Sequence, residues 1–111
     1  MLGKAQPADL FAGMNRMEMA FALGLEVQKR AGDIHAWWYE EWTFKLGADT
    51  RYTPDFMVLH KDRTLEAVEV KGFMRDDARV KLKVFAQRFP LRVTLVTKDG
   101  TTDCTAARTE V

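Results

Sequence analysis

The chain has 111 residues, 47% of them hydrophobic and 30% charged, with a formal net charge of +1. That length and apolar content suit one domain, residues 1–111, with a small core. No run of 18 or more apolar residues occurs and Cys104 is alone, so neither a membrane span nor an internal disulfide is expected, and a cytoplasmic protein is.

In chain order, residues 1–13 read as an N-terminal arm punctuated by Pro7 and Gly13. The stretch NRMEMAFALGLEVQKRAG has helical periodicity, with Asn15 as N-cap and Lys29, Arg30 and Gly32 as C-terminal signals. AWWYEEWTFKLG alternates and is aromatic, predicting a strand that closes at Gly47. YTPDFMVLH and LEAVEVKG follow as strands joined by the polar turn His60-Lys61-Asp62-Arg63, with Pro54 at a strand start or edge. DDARVKLKVFAQRF predicts a helix capped by Asp76 or Asp77, with Ala78, Leu82, Phe85 and Phe89 facing inward and Pro90 stopping it. LRVTLVTK reads as a last strand, parallel to the EVKG strand through a crossover, and residues 98–111 as a flexible tail. The expected fold is α/β (α+β): a mixed sheet of about four strands flanked by helices, in the order α-β-β-β-α-β.

Four polar residues resist a packing explanation. Strand alternation puts Ala67, Glu69 and Lys71 on one face, and a carboxylate and an ammonium two residues apart in a central strand are costly unless paired or metal-bound. Asp55, just after Pro54, enters the preceding strand where its carboxylate can aim at Glu69. Glu18 lies within the apolar stripe of the first helix, between Met14, Phe21, Ala22 and Leu25. Two hard oxygen ligands on adjacent strands, with a backbone carbonyl beside them, suit Mg²⁺ or Mn²⁺. From Lys71 to Arg92 there are also seven basic residues against two acidic ones, although a solvated helix face has the same look. His35, His60 and Cys104 are too scattered for a zinc site.

Pro54-Asp55, then Glu69-Val70-Lys71, with the upstream helical Glu18, resemble the PD-(D/E)XK nuclease superfamily over roughly residues 14–97. The wording KRAGDI, YTPDF, EVKGF and RVKLKVF is similar to small phage-encoded members akin to Holliday-junction resolvases. The resemblance implies a restriction-endonuclease-like core and a catalytic set of Glu18, Asp55, Glu69 and Lys71. In it Asp55, Glu69 and the Val70 carbonyl hold Mg²⁺, with Mn²⁺ able to substitute, Glu18 binds directly or through water, and Lys71 positions the attacking water. Arg75, Arg79, Lys81, Lys83 and Arg88 then contact the DNA backbone. The implied activity is structure-selective endodeoxyribonuclease, a junction resolvase making paired nicks in branched DNA as a homodimer, in a bacterial host cell and without an organic cofactor. A nicking, flap or single-strand nuclease of phage recombination or packaging, and a non-catalytic DNA-binding subunit of the same fold, are the alternatives. The aromatic run Trp37, Trp38, Tyr39 and Trp42 serves either core packing or a dimer or base-stacking surface.

Overall fold

In the computed structural model, which describes residues 10–105, the first long element is α1 (Arg16–Ala31). A capping box starts it. The Asn15 side chain accepts from the Glu18 amide and the Glu18 carboxylate accepts from the Asn15 amide, both at 2.9 Å. Gly32, at φ 83°, ends it in the left-handed conformation that glycine adopts without a Cβ clash.

The strands are β1 (Ile34–Tyr39), β2 (Phe44–Lys45), β3 (Arg51–Tyr52), β4 (Phe56–His60) and β5 (Leu65–Val70); α2 (Asp76–Arg88), β6 (Arg92–Thr97) and β7 (Gly100–Asp103) follow. β1, β4, β5, β6 and β7 form one mixed sheet in that order, while β2 and β3 make a separate two-stranded ribbon. β5 and β6 pair in parallel, as the crossover through α2 requires, and all other pairs are antiparallel. His35 is a bulge in β1, where the register shifts between Ile34 and Ala36.

Each face of the sheet buries one helix. Phe56, Val58, Val68 and Val70 meet Ala22 and Leu25 of α1. Met57, Ala67, Val93 and Leu95 meet Leu82, Phe85 and Ala86 of α2. The alternation expected for β5 therefore holds, with Val68 and Val70 on the α1 side and Ala67 on the α2 side. No helix among the described residues is long and apolar enough to cross a membrane.

Four details correct the sequence reading. The stretch 36–47 is not one strand: Glu40 takes φ 51° and breaks it, leaving β1 and the short β2. YTPDFMVLH is likewise broken, because Pro54 has no amide to continue a ladder, so Tyr52 belongs to β3 and Phe56 starts β4. α2 has Arg75 at its N-cap with no side-chain cap; Asp76 and Asp77 instead sit in its first turn, where they complement the helix dipole. The predicted tail is partly ordered: Asp99-Gly100 turns the chain into β7 on the edge of the sheet, which makes five strands rather than about four. The rest of that tail, residues 106–111, and residues 1–9 of the predicted arm lie outside the described residues.

Candidate active site

The four polar residues singled out above meet where β4 begins and β5 ends. Antiparallel pairing of Phe56 with Val68 sets Asp55 beside the last residues of β5, so the PD turn and the ExK segment converge by register. Asp55 Oδ2 accepts from the Val70 amide at 2.8 Å, while the Asp55 amide donates to Glu69 Oε1 at 3.1 Å. Lys71 Nζ lies 3.6 Å from Asp55 Oδ2 and 3.5 Å from Glu69 Oε2. These separations are ion-pair contacts longer than a tight charge-assisted hydrogen bond. Lys71 stays partly exposed, whereas Asp55 and Glu69 are each only 5% exposed.

Glu18 arrives from the other face of the sheet. Its Oε1, already engaged with the Asn15 amide, lies 3.2 Å from the Tyr39 hydroxyl. One oxygen of Glu18, one of Asp55 and one of Glu40 lie within 4.8 Å of one another. Glu40 reaches this position because its amide donates to the Asp55 carbonyl at 2.9 Å while its backbone turns into the left-handed region. For a residue other than glycine that conformation is uncommon and carries strain, a feature that concentrates at functional sites.

The electrostatics are those of an anionic excess. Burial first, and then the charge on Glu69, push the Asp55 carboxyl from 3.8 up to about 6; the Val70 amide and Lys71 offset only part of this. Burial acts to lower Lys71, but attraction to Glu69 and Asp55 outweighs it, so the ammonium is held above its usual range. Asp55 and Glu69 face the Lys71 ammonium, and Glu18 and Glu40 bring two further carboxylates to Asp55. Hard oxygen donors with uncompensated negative charge fit a divalent cation such as Mg²⁺ or Mn²⁺.

Two groups were not found by sequence reasoning. Tyr52, from the β2–β3 ribbon, donates to Glu69 Oε1 at 2.6 Å, and burial followed by the charge of Glu69 pushes its hydroxyl well above the usual phenol range. It therefore stays a proton donor and fixes the Glu69 carboxylate. Its signal was its place three residues before Asp55, since a phenol in an inward strand position needs a polar partner. Glu40 was passed over as part of an acidic lead-in; its signal was that Glu40-Glu41 interrupts an otherwise aromatic strand.

The structure does not gather every predicted residue equally. Asp55, Glu69 and Lys71 form one contact set, and Glu18, Glu40 and Asp55 another, with Asp55 common to both. Val70 engages Asp55 through its amide. On α2, Arg75, Arg79, Lys81, Lys83 and Arg88 are all exposed, but they do not make one stripe. At 100° per residue Arg79 and Lys83 flank the buried Leu82–Ala86 face on one side, and Lys81 and Arg88 on the other. Lys81 lines a groove against Leu46, Gly47 and Thr50 of the ribbon. Arg75 is the N-cap at the end of the helix that follows β5, and Arg88 lies about 20 Å further along it. His60, expected to be idle in a turn, instead ends β4 and pairs with Glu66 at 2.6 Å. The aromatic run is chiefly packing: Trp37 and Tyr39 lean on Phe56, and Trp38 packs edge-on against Trp42.

No curated protein and no solved structure matches the chain. One family model does, over residues 39–101, a span that holds Glu40, Tyr52, Asp55, Glu69 and Lys71 and begins after α1. With more than half of its length inside that match, the chain belongs to the family described as protein of unknown function DUF1064.

Proposed function

We propose that this chain is a metal-dependent endodeoxyribonuclease of the PD-(D/E)XK type, acting on branched DNA as a junction resolvase. The observation that carries the reading is the convergence of Asp55, Glu69 and Lys71 within 3.6 Å at the end of a mixed sheet. The order of the elements supports it: α1, three antiparallel strands of the main sheet, α2 and a parallel strand are the order that the superfamily resemblance implies. Paired nicks across a two-fold junction call for a homodimer, and the setting we infer is the cytoplasm of a bacterial host.

A divalent cation held by Asp55, with Glu18, Glu40 and Glu69 as further oxygen donors, would supply charge to the phosphoryl oxygens and a water of lowered pKa. The remaining work falls to the chain. The Val70 amide fixes one oxygen of Asp55, and Tyr52 fixes one of Glu69, so both carboxylates are oriented before substrate arrives. Lys71, charged at neutral pH, is a donor rather than a base; it can hold a water or offset charge on the scissile phosphate. Arg75, in the turn that follows Lys71, and Arg79, one helical turn later, would position the phosphate backbone.

A panel of a four-way junction, a flap, a single strand and plain duplex, with Mg²⁺ or Mn²⁺, tests this. Preferential, symmetric nicking of the junction is expected; equal cutting of all four would leave a nuclease but remove the resolvase reading. One observation favours a second reading, a non-catalytic DNA-binding subunit: among the described residues no buried side-chain polar atom lacks a hydrogen-bond partner, so the cluster is satisfied as it stands. That reading wins if nothing is cleaved while Glu69→Gln binds junctions as the parent does.

A further inference from the structure

The turn between β5 and α2 carries the most exposed large hydrophobic side chain among the described residues. Phe73 is 81% exposed, while its neighbour Met74 is 6% exposed and packs into the core on the α2 side. Met74 anchors the turn and so leaves Phe73 pointing outward. Phe73 joins neither core cluster and no ring pair. On its inner side the turn runs close to α1: a Cβ added at Gly72 would meet the Met17 sulfur at 3.8 Å, and Met17 is the residue before Glu18. The ring thus stands outside a turn that directly follows the Glu69–Lys71 end of β5 rather than on a distant loop.

Two residues span at most about 7 Å, so Phe73 lies within that reach of Lys71 along the backbone. Successive nucleotides of one strand rise about 3.4 Å, so that reach corresponds to one or two nucleotide steps from a phosphate held at Lys71. Lys71 and the exposed Arg75 flank it in sequence, and Arg79 follows one helical turn later. An exposed aromatic ring between cations that track a phosphate backbone is a stacking platform for a base. In plain duplex the bases stay stacked on one another; at a branch point or gap, where stacking is interrupted, a base face is free to take the ring.

We propose that Phe73 is the residue that recognises base faces left unstacked at the branch point, stacking on a base beside the scissile phosphate and giving the enzyme its preference for branched over continuous DNA. This inference rests on the nuclease reading above and adds to it the element that selects the substrate. Val80 and Val84 are also exposed, but they lack a π face and line the groove between α2 and the β2–β3 ribbon.

The test uses the full chain carrying Asp55→Asn to prevent cleavage, with a four-way junction, a gapped duplex and a continuous duplex of the same sequence. A 2-aminopurine is placed at the branch point or in the gap. Stacking by Phe73 predicts quenching of that probe on binding. Adding Phe73→Ala should abolish the quenching and weaken junction and gap binding by roughly 5- to 150-fold, while continuous-duplex affinity changes less than twofold. Phe73→Trp should restore both. Equal weakening on all three DNAs, or none on any, overturns the proposal and leaves the nuclease reading in place. So does a change in oligomeric state on sedimentation without a change in DNA selectivity, which would assign the ring to a contact between protein chains. Failure of the Phe73-intact protein to bind any of the three DNAs removes the nuclease reading itself, and this inference with it.

Discussion

β5 carries two acidic residues, Glu66 and Glu69, at opposite ends of one strand and on opposite faces of the sheet, and their surroundings differ in kind. Glu66 meets two donors and no second carboxylate: His60 Nε2 at 2.6 Å on one oxygen and the Thr94 hydroxyl at 2.5 Å on the other. It ties β4, β5 and β6 together. Glu69 also meets donors, from Tyr52 and the Asp55 amide, but it shares its space with a second buried carboxylate whose proton it helps to retain. Glu66 is half-buried and Glu69 buried, and pairing of an acid with donors inside the sheet is therefore not by itself the signal of a site. The signal is an excess of negative charge over the donors that could balance it, and only the Glu69 end has one.

The largest effect that could break this comparison is on catalysis. Asp55→Asn, Glu69→Gln or Lys71→Ala should each reduce Mg²⁺-dependent DNA cleavage by at least about 100-fold, while Glu66→Gln leaves it within a few-fold. Kinetics on a nicked-junction gel decide it; a comparable loss at Glu66 would merge the two ends into one functional network.

Next is the pH dependence of stability in the metal-free protein. The Asp55 carboxyl binds protons more tightly folded, at about 6, than unfolded, near 3.8, so its contribution is full below about pH 4 and is lost as pH rises through 6. A loss on the order of 3 kcal/mol is expected across that window, measured by urea unfolding, and Asp55→Asn should flatten it.

A smaller stability effect belongs to the other end. Thr94→Val removes one donor from Glu66 and should cost about 1–3 kcal/mol in the same assay without altering metal affinity. Smaller still is Tyr52→Phe, which keeps the ring against Phe85 and removes only the hydroxyl. About a tenfold weakening of Mn²⁺ binding by calorimetry is expected, with the fold retained.

Much of this was legible in the sequence because it rests on local rules. α1 announced both its caps, β5 its alternation and α2 its buried stripe, and these placed Asp55, Glu69 and Lys71 together by register. The rest depends on the chain leaving its local pattern. Glu40 breaks an aromatic strand by adopting a positive φ that no propensity scale assigns to Glu, and this split the predicted lead-in strand in two. Tyr52 reaches Glu69 from a two-residue ribbon too short to read as a strand. β7 was lost for a similar reason: its four exposed residues, Gly100–Asp103, have no apolar face to give them away, and they form a strand only because β6 offers an edge. Glu18 was legible as an inward acid and, three residues after the Asn15 cap, as a partner in a capping box, while its contact with Tyr39 came only with the structure.

The most direct test of the central claim is a four-way junction incubated with purified protein and Mn²⁺, the parent against Asp55→Asn, each with and without a chelator. Nicks are expected from the parent alone, and only when the cation is free. Cleavage by Asp55→Asn at the parent's rate, or by the parent in chelator, would contradict it.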